Sequence, residues 1–161
     1  RLANFRNTII IMTSNMGSHI IQERFEKMDM AKRDQVTEAT KVEVIGLLRQ
    51  TIRPEFLNRI DEIIMFTPLN RAEINQIVKI QLDGLVKMLK EKEIQIEYTE
   101  DLVEALAIKG FDPQFGARPV KRVIQKEVLN QLSKEILAGK ITATSHILLD
   151  AFDDKIVFRN K

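Results

Sequence analysis

The sequence predicts two consecutive parts, an α/β segment in residues 1–67 and an α+β segment of helices with a three-stranded sheet in residues 68–161. Residues 8–12 form an uninterrupted, mostly β-branched run, which is typical of a strand covered on both faces in a parallel sheet. Residues 67–69, Thr-Pro-Leu, separate this segment from a stretch in which helical spacing and short strands alternate. With 161 residues, 44% of them hydrophobic, the chain is long enough to bury a core.

Two buried strands are predicted in the first part. One occupies residues 8–12 and ends in the polar residues 13–15, at the edge where open α/β sheets bind ligands. The other occupies residues 62–66. Because two strands alone leave unpaired edges, we expect residues 1–67 to be rearranged relative to a complete α/β fold or buried against a second copy.

Helices are predicted between these strands. A short helix is expected in residues 19–25, whereas residues 26–40 are polar and predict a loop or a mobile helix. Residues 41–52 have apolar side chains at helical spacing, and Pro54 can open a further short helix. The expected inward positions of the longer helix are Val42, Ile45, Leu48 and Ile52.

The second part begins with clear helix and strand signals. Asn70 and Glu73 predict a capped helix that lasts to about residue 92. Residues 94–98 alternate apolar and polar side chains, as half-exposed strands do. Thr99 then starts a helix that is expected to stop at Gly110.

The end of the chain is predicted to form a long helix and a hairpin. The helix runs from about Pro119 to Ala138, with apolar residues on one side. The hairpin strands occupy residues 146–149 and 155–158 and turn around residues 153–154, Asp-Asp.

Composition excludes several classes of protein. Lys and Arg exceed Asp and Glu by only 25 to 23, so the net charge of +2 argues against nucleic acid or an anionic membrane as a partner. The chain has no cysteine and only two distant histidines, and we expect no metal site. Its longest apolar run, residues 9–12, is far shorter than the roughly 20 residues of a membrane span. We expect a cytoplasmic protein and, because the chain does not begin with methionine, a piece of a longer one.

The chain lacks the usual parts of a nucleotide-hydrolysing site. No G-x-x-x-x-G-K-[ST] loop is present to cradle phosphates. The adjacent acids Asp61 and Glu62 precede a predicted strand instead of following one, so they are badly placed to hold Mg²⁺. We therefore expect this chain alone to hydrolyse no nucleotide.

Three cations nevertheless surround the start of the predicted long helix. Arg118 precedes Pro119, and Lys121 and Arg122 fall in the first turn of the helix. The positive end of the helix dipole repels each of these charges, at a cost of about 0.3–1 kcal/mol per residue. Such a cluster can receive a phosphate group. The alternative is that Asp112 or other acids neutralise it.

Two further polar residues invite functional and ordinary interpretations. Asn15, at the tip of the first predicted strand, could orient a water or a phosphate oxygen, or it could be a turn residue or helix cap. Arg59 could reach for an anion, or it could pair with Glu55 one helical turn earlier, an exposed pair worth about 0.3–0.5 kcal/mol.

Together these segments resemble the second ATPase module of ClpB-type protein disaggregases, members of the AAA+ superfamily, over essentially the whole chain. FRNTIIIMTSNMGS is similar to the family's sensor-1 strand with Asn15 as the sensor. RPEFLNRIDEIIMF is similar to the arginine-finger segment, whose finger matches Arg59, and GFDPQFGARPVKR to the sensor-2 segment, whose arginine matches Arg118. The resemblance implies that residues 1–67 are the α/β remnant of a AAA+ large subdomain and residues 68–161 a complete α+β small subdomain.

The resemblance also implies an activity. The intact protein would be an ATP- and Mg²⁺-dependent chaperone, a homo-hexameric ring that threads aggregated or unfolded polypeptides and receives them from a DnaK-type chaperone through regions outside this chain. Both Walker motifs would lie upstream of residue 1, so no nucleotide is expected to bind this fragment. Asn15 would position the attacking water, Arg118 would contact phosphates of its own protomer, and Arg59 would enter the neighbouring protomer's site.

Three alternatives accompany this interpretation. Peptidase-partnered unfoldases of the ClpA and ClpC type carry an exposed Ile-Gly-Phe or Ile-Gly-Leu loop, and residues 45–47 read Ile-Gly-Leu, but they lie inside a predicted helix. A purely structural assembly module would contribute protomer contacts without touching nucleotide. A nucleic-acid motor is disfavoured because no basic stripe with interleaved aromatic residues occurs.

Overall fold

A computed structural model describes residues 5–113, 115–142, 145–153 and 155–160. Contacts within the chain divide it into Arg1–Pro68, called here the N-terminal unit, and Leu69–Lys161, the C-terminal unit. Each unit has its own secondary structure and its own pattern of burial.

The N-terminal unit is helical. Its helices are α1 (Ser18–Glu26), a short 3-10 turn (Met30–Lys32), α2 (Arg33–Thr51) and α3 (Pro54–Leu57). Gly17 precedes α1 with a left-handed φ of 77°, and a Cβ at this position would lie 3.1 Å from a methyl carbon of Val44. The close approach of the Gly17 backbone therefore packs the start of α1 directly against α2.

The two strands predicted in the N-terminal unit do not form. Residues 8–12 and 62–66 have no regular secondary structure and no ladder partners among residues 5–68. Most of their apolar side chains face solvent, with Ile9 92% and Phe66 83% exposed, whereas Ile63 and Met65 are half-buried. A strand satisfies its backbone only through a neighbouring strand, whereas a helix does so internally. The two strand predictions are therefore wrong for this structure, because the described residues of the unit include no partner strand for either run.

Helix α2 also differs from its prediction. It begins at Arg33, so residues 33–40 are helical, and helix was one of the two predictions for residues 26–40. Val42 was predicted to face inward and is 71% exposed, while Thr40 and Val44 are buried. The side of α2 that contacts α1 thus includes Val44, and the actual inward face is rotated away from Val42.

The C-terminal unit begins with α4 (Arg71–Lys90), whose predicted capping box is confirmed. The Glu73 backbone N–H donates to Asn70 Oδ1 (2.9 Å), and the Asn70 N–H donates to Glu73 Oε2 (2.7 Å). These two bonds satisfy backbone donors that the first helical turn leaves without partners. The following helix, α5 (Glu100–Gly110), is capped by Thr99 and ends at Gly110, as predicted.

The predicted three-stranded sheet is present. It consists of β1 (Gln95–Tyr98), β2 (His146–Phe152) and β3 (Lys155–Asn160) in the order β1-β2-β3. Strands β1 and β2 are parallel, with Ile96 opposite Ile147, and β2 and β3 are antiparallel, with Leu149 opposite Phe158. The hairpin turns at Asp153, and the other predicted turn residue, Asp154, lies outside the described residues.

The long helix predicted near residues 119–138 is one helical run with an irregular centre. It comprises α6 (Val120–Val123), a π-helical segment (Ile124–Leu129) and α7 (Asn130–Leu137). Its inward residues Val120, Val128 and Leu132 are essentially inaccessible to solvent. They join a single core with residues of α4, α5 and the sheet, which include Val78, Leu82, Leu102, Leu106, Ile147 and Leu149. In the described parts of the chain, no helix combines the length and apolarity that crossing a bilayer requires.

Candidate functional site

Arg118 lies in the connection between α5 and α6, just before the long helical run. Its backbone N–H donates to the Phe115 carbonyl (3.3 Å), and its side chain is exposed. Among the described residues no carboxylate forms an ion pair with Arg118, Lys121 or Arg122. The three cations are therefore available to an anionic ligand at the start of this helical run.

Asp112, the acid that could neutralise these cations, forms no ion pair with them among the described residues. Asp112 Oδ1 accepts the Phe115 backbone N–H (2.9 Å). The Asp112 and Gly116 backbones also form an isolated antiparallel bridge, with N–O distances of 3.0 and 2.6 Å. Asp112 thus organises the connection that leads to Arg118, a role that the sequence reading did not assign. The signal for it was an aspartate followed four residues later by a glycine.

Arg59 follows the short helix α3. Its backbone N–H donates to the Phe56 carbonyl (3.0 Å), which places it in a turn at the end of the helix. The side chain is exposed, and within the described part of the chain no ion pair joins it to Glu55, Asp61 or Glu62. The ordinary interpretation, a surface pair with Glu55, is therefore not realised in this structure.

Asn15 lies in the turn before α1. Its carbonyl accepts the Ser18 backbone N–H (3.1 Å), so its backbone is that of a turn residue. Its side chain does not cap the helix, because the N-cap position is Gly17 and no side-chain cap bond is made there. The exposed amide forms no hydrogen bond with the residues the structure describes, and it is free to bind water or a phosphate oxygen.

The three predicted residues are divided between the two units. Asn15 and Arg59 belong to the N-terminal unit, where no hydrogen bond joins them, and Arg118 belongs to the C-terminal unit. A surface depression of about 370 Å³ in the N-terminal unit is lined by other residues, among them Glu23 and Lys27. No cluster of three or more acids or histidines with the geometry of a metal site occurs in the described ranges.

Comparison with known protein families adds the class of protein. A model described as "AAA domain (Cdc48 subfamily)" matches residues 1–63, which contain Asn15 and Arg59. A model described as "C-terminal, D2-small domain, of ClpB protein" matches residues 69–149, which contain Arg118, strand β1 and the first part of strand β2. The two models account for both units of the chain.

Curated relatives match along almost its whole length. The "Chaperone protein ClpB" of Porphyromonas gingivalis is 54% identical over 160 residues, which are 99% of this chain and 18% of the relative. That of Bacteroides thetaiotaomicron is 51% identical over 160 residues, 99% of this chain and 19% of the relative. The "Chaperone protein ClpB4, mitochondrial" of Arabidopsis thaliana is 44% identical over 163 residues, 99% of this chain and 17% of the relative.

The chain belongs to the ClpB family. It spans less than a fifth of the length of these relatives. Residues 45–47, Ile-Gly-Leu, lie within α2, which confirms the prediction that Gly46 is part of a helix and not of an exposed docking loop.

Proposed function

We propose that this chain forms the C-terminal part of the second ATPase module of an ATP-dependent chaperone. That chaperone would unfold and disaggregate polypeptides by threading them through a hexameric ring. Residues 1–67 would belong to the large subdomain of that module and residues 68–161 to its small subdomain. The observation that carries the proposal is that Arg59 and Arg118, the two matched arginines, both expose guanidinium groups that no described carboxylate neutralises.

Arg59 is proposed to act on the nucleotide of the neighbouring protomer. A guanidinium is planar and permanently charged, so it can form two parallel hydrogen bonds to phosphate oxygens. Such a group stabilises charge that develops on a transferred phosphoryl group. The exposed turn after α3 leaves Arg59 without a competing intramolecular ion pair among the described residues, as a residue acting on another subunit requires.

Arg118 is proposed to contact phosphates bound to its own protomer, with Lys121 and Arg122 adding positive potential. Asn15 is proposed to orient the attacking water through its amide. ATP with Mg²⁺ would supply the reacting phosphoryl group and its metal, and none of the three residues carries a carboxylate for that metal.

The same proposal includes a hexameric assembly, polypeptide substrates, delivery by a DnaK-type chaperone and a cytoplasmic location. The name of one relative places that relative in mitochondria instead.

Alanine variants of the intact protein test the two arginines. Arg59→Ala is expected to lower kcat for ATP at least about a hundredfold, because removal of a charge-stabilising donor costs that much or more. Arg118→Ala is expected to lower kcat/KM by about tenfold to a hundredfold. Arg49→Ala and Lys126→Ala remove the same charge from exposed positions of the two units and serve as controls that should stay near wild type.

Mixing the two impaired variants separates action within a protomer from action between protomers. In an equimolar mixture of Arg59→Ala and Arg118→Ala subunits, about a quarter of the sites in a head-to-tail ring regain an intact Arg118 of their own and an Arg59 from the neighbour. ATP turnover should therefore reappear on mixing. If it does not, although mixed rings form, the assignment of Arg59 to the neighbouring site fails.

The assembly-module alternative makes a different prediction for the same variants. If the chain contributes only protomer contacts, activity should fall in proportion to the loss of hexamers. Light scattering on each variant measures the hexamer fraction directly. Intact rings with lost turnover support the catalytic proposal, and dissociated rings support the alternative.

A further inference from the structure

The connection that carries Arg118 is held in shape by its own backbone. Asp112 and Gly116 exchange two backbone hydrogen bonds, at 3.0 and 2.6 Å, which close the connection into a narrow loop. Within that loop the Asp112 carboxylate accepts the Phe115 N–H at 2.9 Å, a local side-chain bond of the kind that fixes turns. The Phe115 carbonyl then accepts the Arg118 N–H, so the chain of bonds leads directly to the arginine.

Both ends of the connection are anchored to the core. A Cβ added at Gly110 would lie 2.8 Å from Val120 Cγ2 and 2.9 Å from Val120 Cα, so the end of α5 touches the start of α6 without an intervening side chain. Val120 is itself buried. The two ends of the connection between these helices are therefore held close to each other.

Gly116 supplies the conformation that the closed loop requires. Its φ is +62°, in the left-handed region that side chains disfavour. Nothing lies within 4 Å of the position that a Cβ would occupy, so the glycine is needed for its backbone angle and not for space.

We propose that Asp112 and Gly116 are positioning residues that set the direction of Arg118 toward its phosphate. This inference rests on the proposed phosphate contact of Arg118. Neither residue touches the nucleotide: Gly116 provides the left-handed turn, and Asp112 locks the turn through the Phe115 amide. Catalytic geometry is sensitive to such support, because a displacement of about 1 Å can cost about a hundredfold in rate.

Gly116→Ala in the intact protein tests the turn, and Gly139→Ala is its matched control. Gly139 has a φ of +71° and also has nothing within 4 Å of its Cβ position, but it follows α7, away in sequence from Arg118. Both changes impose similar backbone strain. Gly116→Ala is expected to lower kcat/KM for ATP by about tenfold, and Gly139→Ala by less than about twofold. Equal losses in the two variants would overturn the proposal.

The same substitutions in an Arg118→Ala background show whether Gly116 acts through the arginine. If it does, Gly116→Ala should cause no further loss once Arg118 is absent, so the double variant should match Arg118→Ala. An additional tenfold loss in that background would assign Gly116 a separate structural role. If Arg118→Ala alone leaves turnover unchanged in intact rings, the proposed function of Arg118 fails, a result distinct from failure of the positioning inference.

Substitutions of Asp112 identify which property of its side chain matters. Asn retains an oxygen that can accept the Phe115 N–H, whereas Ala does not. Asp112→Asn is therefore expected to keep kcat/KM within about threefold of wild type, and Asp112→Ala to lose about tenfold. Equal losses for both substitutions would show that the negative charge acts instead of the turn and would overturn this part of the proposal.

Discussion

The two units of the chain use similar apolar residues with opposite results. In the C-terminal unit, helices and a three-stranded sheet bury one continuous core. In the N-terminal unit, Val44 is the one buried large apolar side chain among the described residues, and Ile9, Ile11 and Phe66 are each more than four-fifths exposed. Apolar residues form a core only where each segment can also satisfy its backbone hydrogen bonds, and a strand-like segment without a partner strand cannot do so.

The largest expected effect concerns buried leucine in the C-terminal unit. Leu106→Ala on α5 removes a side chain with no solvent exposure and should lower the free energy of unfolding by about 2–5 kcal/mol. Ile9→Ala removes a side chain of similar size that is 92% exposed, and it should change the free energy of unfolding by less than about 0.5 kcal/mol. Denaturant unfolding of the chain measures both, and equal effects would show that residues 8–12 are covered in solution.

A pair of glycine substitutions tests the packing within the C-terminal unit. Gly110→Ala forces a Cβ against Val120 and should cost about 1–3 kcal/mol in free energy of unfolding. Gly84→Ala, in the middle of α4 with nothing within 4 Å, should instead stabilise the unit by about 0.5–1 kcal/mol. Thermal unfolding of both variants checks the opposite signs. Two losses of similar size would argue against the close approach of α5 and α6.

Self-association tests the N-terminal unit. Its exposed isoleucines should cause the chain to associate as its concentration rises. Ile11→Lys should lower the association constant by at least about tenfold, since burying an isoleucine contributes about 1.5–3 kcal/mol. Ile80→Lys on α4, which is also exposed, serves as the control. A chain that remains strictly monomeric in light scattering would contradict the expectation of association.

The smallest expected effect is a pH dependence in the C-terminal unit. Burial, together with the hydrogen bond that the Tyr98 hydroxyl donates to Asp83 Oδ1 (2.5 Å), raises the pKa of Tyr98 to about 12. The folded state holds this proton more tightly than the unfolded state, so the contribution is complete below pH 10 and is lost between pH 10 and about 12.

Because this pair lies near the surface, where water screens it, we expect less than about 1 kcal/mol. Urea unfolding across that pH range should show the loss in the wild type and not in Tyr98→Phe. The same decline in both proteins would assign it to other groups.

Local signals in the sequence were sufficient to predict the C-terminal unit. The capping box of Asn70 and Glu73, the alternation in residues 94–98 and the stop at Gly110 each act within a few residues. The N-terminal unit was harder, because whether residues 8–12 become a strand depends on neighbours that local pattern does not reveal. The start of α2 at Arg33 was obscured by polar residues that a half-exposed helix tolerates.

The candidate site shows the same division between local and distant causes. The cations before and after Pro119 could be recognised because they oppose the expected helix dipole. The conformation of the loop that carries Arg118 could not be predicted, because it depends on the left-handed φ of Gly116 and on the close approach of Gly110 to Val120. The roles of Asn15, Arg59 and Arg118 remain predictions.

The position of Tyr98, hydrogen-bonded to Asp83, has a practical consequence for measurements of this chain's intrinsic fluorescence. The sequence contains one tyrosine and no tryptophan, so a single phenol is its dominant fluorophore. That ring packs against the core of the C-terminal unit, and its hydroxyl donates a hydrogen bond to Asp83 Oδ1, so its surroundings change when this unit unfolds. Fluorescence will therefore report the melting of one unit and remain silent about the other.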